Sequence, residues 1–179
     1  MDWRQDLGHR TSFPQTVSDF PAAMTPATLQ ALRRLLFFSR PEAAAMIAAS
    51  HERPAGVSDR AWRMWEDGDR ATPNDVAGSI DKLAEWRQSA IDAAVKQISA
   101  APAEADIALI WYESMDDWAT LPGREPILWR PQQSVCAALV AEFPGRVKLV
   151  SFNGHAFAEW LQGNPDNETA RSTWAALQK

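Results

Sequence analysis

Between Pro73 and Pro102 the chain runs without a proline, and its only glycine there is Gly78, early in the run. Val76, Ile80, Leu83, Ala84, Ile91, Ala94, Val95 and Ile98 recur along it at helical spacing. A helix that long spans a small domain from side to side. It therefore fixes where everything before and after it must pack. Gly78 is the one place where it is expected to loosen or divide.

On its amino-terminal side the signals are all helical. Thr25-Pro26 pairs an N-cap with a proline at the first helical position, and Leu29, Leu32, Leu35 and Leu36 follow, predicting a helix to about Phe38. Ser39-Arg40-Pro41-Glu42 has capping-box spacing and opens an alanine-rich helix to about Ala49. His51 to Gly56 holds Pro54 and Gly56 and reads as a loop. Ser58 caps a third helix that stops near Asp67-Gly68. Residues 1–23, with Pro14 and Pro21 and no sustained period, read as an extended or partly ordered arm.

After Pro102 the texture changes. Ile107–Tyr112 and Val147–Phe152 look like strands and Pro126–Arg130 a weaker third; Gln132–Phe143 and Gly154–Leu161 look helical. The expected class is α+β, a helical amino-terminal part meeting an α/β carboxy-terminal part near residue 102.

Charge is informative only locally. The chain has a net charge of -5, yet Thr25 to Val76 is neutral, with arginines at 33, 34, 40, 53, 60, 63 and 70 balanced by acids. Phosphate responds to local potential, so arginines gathered on one face bind DNA whatever the total. Within the third helix Trp62 and Trp65 lie three apart on one side, leaving Asp59, Arg60 and Arg63 on others. That distribution suits a helix-turn-helix, one side buried by aromatics and the other entering a major groove. An arginine there meets guanine O6 and N7 together. Ser58 and the free amides of the helix start suit a phosphate. A capped, basic, tryptophan-bearing helix also occurs in bundles that bind nothing, and spacing alone leaves that reading open.

The order of the pieces adds to this. Ser39-Arg40-Pro41-Glu42-Ala43-Ala44, Val57-Ser58-Asp59-Arg60-Ala61-Trp62, Trp65-Glu66-Asp67-Gly68 and Pro73-Asn74-Asp75-Val76 together resemble a Xre/Cro-type helix-turn-helix domain. Met24-Thr25, Leu29 to Leu36 and the tail segment Trp129-Arg130-Pro131-Gln132-Gln133-Ser134-Val135 with Ala137-Ala138 narrow the likeness to regulators of the anti-CRISPR-associated repressor kind. The resemblance implies a homodimeric repressor on double-stranded DNA, binding inverted repeats in its own promoter. Residues 24–101 would read DNA and residues 102–179 would form an α/β dimerisation domain. Carried to matching positions, it implies base readout by Arg60 and then Arg63, and a backbone contact from Arg40. Arg33, Arg34 and Arg70 are weaker phosphate candidates. Two features depart from the family. Residues 1–23 have no counterpart, and His51–Gly56 lengthens a turn that relatives keep very short.

Other chemistry finds little footing. His9, His51 and His155 show no metal-ligand spacing, and no cofactor motif or glycine-rich phosphate loop is present. Cys136, the single cysteine, lies among apolar residues as a small hydrophobe would. Asp116-Asp117 reads as a solvated turn rather than a catalytic pair. The nine tryptophans read as core or dimer seam. No apolar run approaches the roughly 20 residues of a membrane span, and no secretory signal is seen at the start, so a cytoplasmic location is expected. Alternatives from other classes are an antitoxin-like or other protein-interaction module, an RNA-binding regulator, or an enzyme built on the α/β tail.

Overall fold

The computed structural model describes residues 23–178. The arm expected before Met24 lies, but for Ala23, outside the described residues, as does His9.

The order of elements is α1 (Pro26–Leu35), α2 (Arg40–Met46), α3 (Asp59–Glu66), α4 (Asn74–Ala100), β1 (Ile107–Trp111), α5 (Met115–Ala119), a 3-10 turn (Pro126–Leu128), α6 (Trp129–Glu142), β2 (Val147–Ser151), α7 (Gly154–Leu161) and α8 (Glu168–Leu177). The mixture is α+β, with a small parallel sheet in which Ile107 lies beside Val147 and Trp111 beside Ser151.

The caps read from sequence are in place. The Thr28 amide donates to Thr25 Oγ1 at 3.1 Å, and the Ser39 amide donates to Glu42 Oε2 at 2.8 Å. α1 stops at Leu35, short of Phe38, because Phe37 turns into the left-handed region at φ 65°. Phe38 then drops into the core while Phe37 and Leu35 stay exposed.

α4 is one unbroken helix of 27 residues, so Gly78 does not divide it. At about 1.5 Å per residue it is roughly 40 Å long. Its two halves serve different cores. Val76, Ile80 and Leu83 close a cluster with Leu29, Leu36, Ala43, Ala44, Ile47, Ala48, Trp62 and Trp65. Farther along, Ile91, Ala94, Val95 and Ile98 meet Val135, Leu139 and Val147 beneath the sheet. The opposite face of the sheet, with Ala108, Ile110, Val150 and Phe152, is covered by Phe157 of α7 and Trp174 and Ala175 of α8.

One expectation is corrected. Pro126–Arg130 is not a third strand: Pro126–Leu128 is a 3-10 turn that runs straight into α6. A short apolar run has no period that separates a strand from a buried helical start. Here Ile127 and Leu128 pack against the amino-terminal core, and Pro131 sits in the first turn of α6, where its missing N–H costs nothing. Two short helices, α5 and α8, were not expected. Ser114 and Asn167 cap them through the Asp117 and Ala170 amides. Asp116 and Asp117 thereby fall in a helical first turn, where negative charge suits the dipole.

The loop between α2 and α3 is pinned. Gly56 has φ 71°, and the Val57 amide donates to the Ala44 carbonyl at 2.8 Å. A Cβ on Gly56 would fall inside contact distance of the Ala44 and Ala45 carbonyls. Replacing Gly56 by alanine is expected to cost about 1–3 kcal/mol from the backbone conformation alone, read as a lowered urea midpoint.

Candidate nucleic-acid interface

α3 is built to show one face and bury the other. Ser58 opens it by accepting from the Ala61 amide at 3.2 Å. Trp62 is fully buried and meets Trp65 edge-on with ring centroids 5.6 Å apart. The apolar cluster around them fixes the helix against α1, α2 and α4.

A buried ion pair completes the fixing. Glu66, one turn beyond Trp62, accepts from Trp62 Nε1 at 2.8 Å and from Arg33 Nε at 2.6 Å and Nη2 at 3.1 Å. The remaining Arg33 Nη1 donates to the Phe38 carbonyl at 2.9 Å. Burial pushes the Glu66 carboxyl up, but the bonds from Arg33 and Trp62 and the Arg33 charge outweigh it and hold it below its ordinary value. Arg33 is consequently no phosphate ligand: its guanidinium is turned inward, on the face it shares with Leu29 and Leu36. Sequence inspection had the signal. Arg33 follows Leu29 by one turn, and Glu66 follows Trp62 by one turn.

The outward side carries the candidate contacts. Arg60 and Arg63 are exposed, and so are Arg34 on α1, Ser58 at the helix start and Arg70 after the helix. Arg70 is held there by its own backbone, whose amide donates to the Met64 carbonyl at 3.0 Å. Asp59 stands between two of the cations. Its Oδ2 accepts from Arg63 Nη2 at 3.3 Å, and its Oδ1 lies 3.8 Å from Arg40 Nε with no hydrogen bond of its own among the described residues. Arg40 thus comes from the start of α2 to the start of α3 through a shared carboxylate. A shallow groove along α3 is lined by Asp59, Arg60, Arg63, Met64, Asp67 and Asp69. Its cations point out of the protein, while its acids restrain them or flank them.

The long turn is ordered by an arginine that sequence reading left unassigned. Arg53 donates from Nε to the Ala48 carbonyl at 3.2 Å and pairs with Asp75 at the start of α4. The insertion therefore lengthens the turn as a folded piece tied to the end of α2 and the start of α4.

Residues 24–147 match the family model described as Aca2/YdiL-like. The chain belongs to that family. It is also 34% identical over 120 residues to a curated relative, the Aca2 repressor of Pectobacterium phage ZF40, covering 66% of this chain and 95% of the relative. The family match begins at Met24 and takes in all four amino-terminal helices together with β1 and α6. It stops at the first residue of β2, so α7 and α8 lie beyond it.

Other groups find ordinary places. Cys136 is buried, and that burial pushes its thiol up to about 12, far from a nucleophilic thiolate at neutral pH. His155 is exposed beside Glu159. Trp118, Trp129 and Trp174 are core residues, whereas Trp160 stays exposed against Phe157. Among the described residues no three metal-ligating side chains come together, and no helix is long and apolar enough to cross a membrane.

The ion pair yields a stability prediction. Glu66→Gln leaves the Arg33 charge buried without its partner, and a loss of about 3–5 kcal/mol is expected in urea unfolding. The pH dependence follows from sign. Glu66 titrates lower in the folded chain than its ordinary value near 4.5. Its contribution is therefore full above that value and is lost as pH falls through the lowered one. Glu66→Gln should remove this part of the acid limb, which a stability profile against pH measures directly.

Proposed function

We propose that this protein is a sequence-specific, DNA-binding transcriptional repressor that acts in the cytoplasm as a homodimer on inverted repeats, including one in its own promoter. The observation that carries the reading is the division of α3: Trp62, Trp65 and Glu66 are locked inside while Arg60 and Arg63 stand exposed outside. A relative named a repressor supports it. In this reading residues 24–101 read DNA and residues 102–179 pair the protomers.

The roles divide by position. Arg60, in the first turn of α3 and without an acidic partner among the described residues, meets a base edge. Arg63 follows it one turn on, steered by Asp59. Arg40, Ser58 and the first amides of α3 take phosphate, and Arg34 and Arg70 flank them. Half-sites would lie one turn of duplex apart, roughly 34 Å, or a multiple of it.

Titrating DNA from upstream of the gene in a gel shift tests this. Arg60→Ala is expected to cost about 1–3 kcal/mol on the operator and to relax preference at one base position. Unchanged affinity with unchanged preference refutes the assignment. Arg40→Ala behaves differently: it weakens operator and random duplex alike and lowers the salt slope by about 1. Competition by folded RNA as strong as that by the operator would turn the reading toward RNA.

A further inference from the structure

Of the three acids that line the groove of α3, Asp59 alone forms ion pairs among the described residues. It is the first residue of the helix, directly after the cap. Ser58 already accepts from the Ala61 amide, so capping does not occupy Asp59. Its carboxylate is divided instead between two cations. Oδ2 accepts from Nη2 of Arg63, one turn on, at 3.3 Å, with the acid amino-terminal to the base as a helix favours. Oδ1 lies 3.8 Å from Nε of Arg40, too far for a hydrogen bond, and is covered from solvent with no donor of its own among the described residues.

On a surface that served only to hold phosphate, this arrangement would be counterproductive. A helix start offers free amides and a positive dipole end to an anion, and a carboxylate at that spot opposes the anion. For Arg40 and Arg63 to bond a duplex backbone they would have to leave Asp59, which then faces nucleic acid as a bare charge. A duplex that gives it no donor is penalised, because an unpaired carboxylate is desolvated beside phosphate. A duplex that supplies a donor escapes the penalty. In the major groove only cytosine shows an amino donor with no acceptor beside it: adenine sets N7 next to N6, and guanine and thymine show acceptors.

We propose that Asp59 sets the sequence discrimination of this interface. It holds Arg40 and Arg63 back from non-cognate backbone, and on the operator its freed carboxylate accepts a hydrogen bond from N4 of a cytosine. The inference rests on the DNA-binding reading above and deepens it. Arg60, next along the helix and without an acidic partner among the described residues, attracts any duplex and bonds guanine. Asp59 supplies the opposite half of recognition, a charge that rejects the wrong sequence. The two cations it restrains come from different helices, so the carboxylate governs the starts of α2 and α3 together.

The test uses the full chain and two probes: duplexes that the wild type recovers from a library with a randomised centre, and one unselected duplex of the same length. Asp59→Asn keeps the shape and removes the charge. It is expected to bind the unselected duplex about threefold tighter, with a salt slope steeper by about 1. Asparagine bonds adenine N6 and N7 together, so the variant should also change its selected base at one position from cytosine to adenine, a preference of about tenfold. Asp59→Glu keeps the charge and should stay as weak as the wild type on the unselected duplex. A role confined to helix stability would shift thermal unfolding without separating the two variants on DNA. Asp59→Asn with wild-type affinity for the unselected duplex, with unchanged base selection, or indistinguishable there from Asp59→Glu overturns the inference and leaves the repressor reading standing. A wild type that recovers no sequence from the library removes that reading, and the role of Asp59 with it.

Discussion

The carboxylate of Glu66 decides how the amino-terminal half can be assembled. It sits buried at the end of α3 and is held by an indole from its own helix and a guanidinium from α1. A buried charge is tolerated only in a geometry that satisfies it, so rotating α3 about its axis would strand either Glu66 or Arg33. Apolar contacts alone permit small rotations at little cost. The ion pair removes that freedom, and with it any ambiguity over which residues of α3 face outward. Arg60 and Arg63 are exposed because Trp62 and Glu66 have no other place to go.

The same logic ties the two ends of the chain together. α4 contributes to both cores, but a shared helix by itself leaves the flanking parts free to bend. Three polar contacts from α6 limit this. Ser134 Oγ donates to the Leu35 carbonyl at 2.5 Å and accepts from Arg87 of α4 at 2.6 Å. Arg130 binds Glu42 in the capping box of α2, and its hydrogen bonds and charge outweigh burial to hold that carboxyl below its ordinary value. α6 thus grips α1 and α2 as well as α4. A shift of α6 would therefore be felt at the start of α2, near Arg40.

Much of this was legible in the residues. Caps at Thr25, Ser39 and Ser58, the proline-free run of α4 and the short apolar-rich runs of β1 and β2 are local signals, and local physics decides them. The outward placement of Arg60 and Arg63 followed from tryptophans spaced three apart. What escaped was decided between distant segments. Arg33 read as a surface cation because its partner lies 33 residues away. Pro126–Arg130 read as a strand because four apolar residues do not reveal whether the neighbour they meet is a sheet or a helical core. Arg53 had no reading at all, since its role depends on Asp75 coming back to the loop. Asn167 was a usable cap signal before Glu168 that went unused, and α8 was missed with it.

Satisfaction of polar groups, more than burial of apolar ones, separates the surfaces of this protein that are finished from those that are open. Arg33, Arg130 and the Ile110 and Tyr112 carbonyls on the outer side of β1 all have partners within the chain, and they are buried or partly buried. Arg60 and the backbone of Leu149 on the outer edge of β2 have none among the described residues, and both are presented on rigid elements. An exposed arginine alone is commonplace, and so is a short strand edge. Here each stands beside a near-equivalent group that the fold has taken care to pair: Arg33 in one half, β1 in the other. The contrast sets the two open surfaces apart from the rest of the molecule. α3 is held through its packing on α1, α2 and α4, and β2 through its pairing with β1.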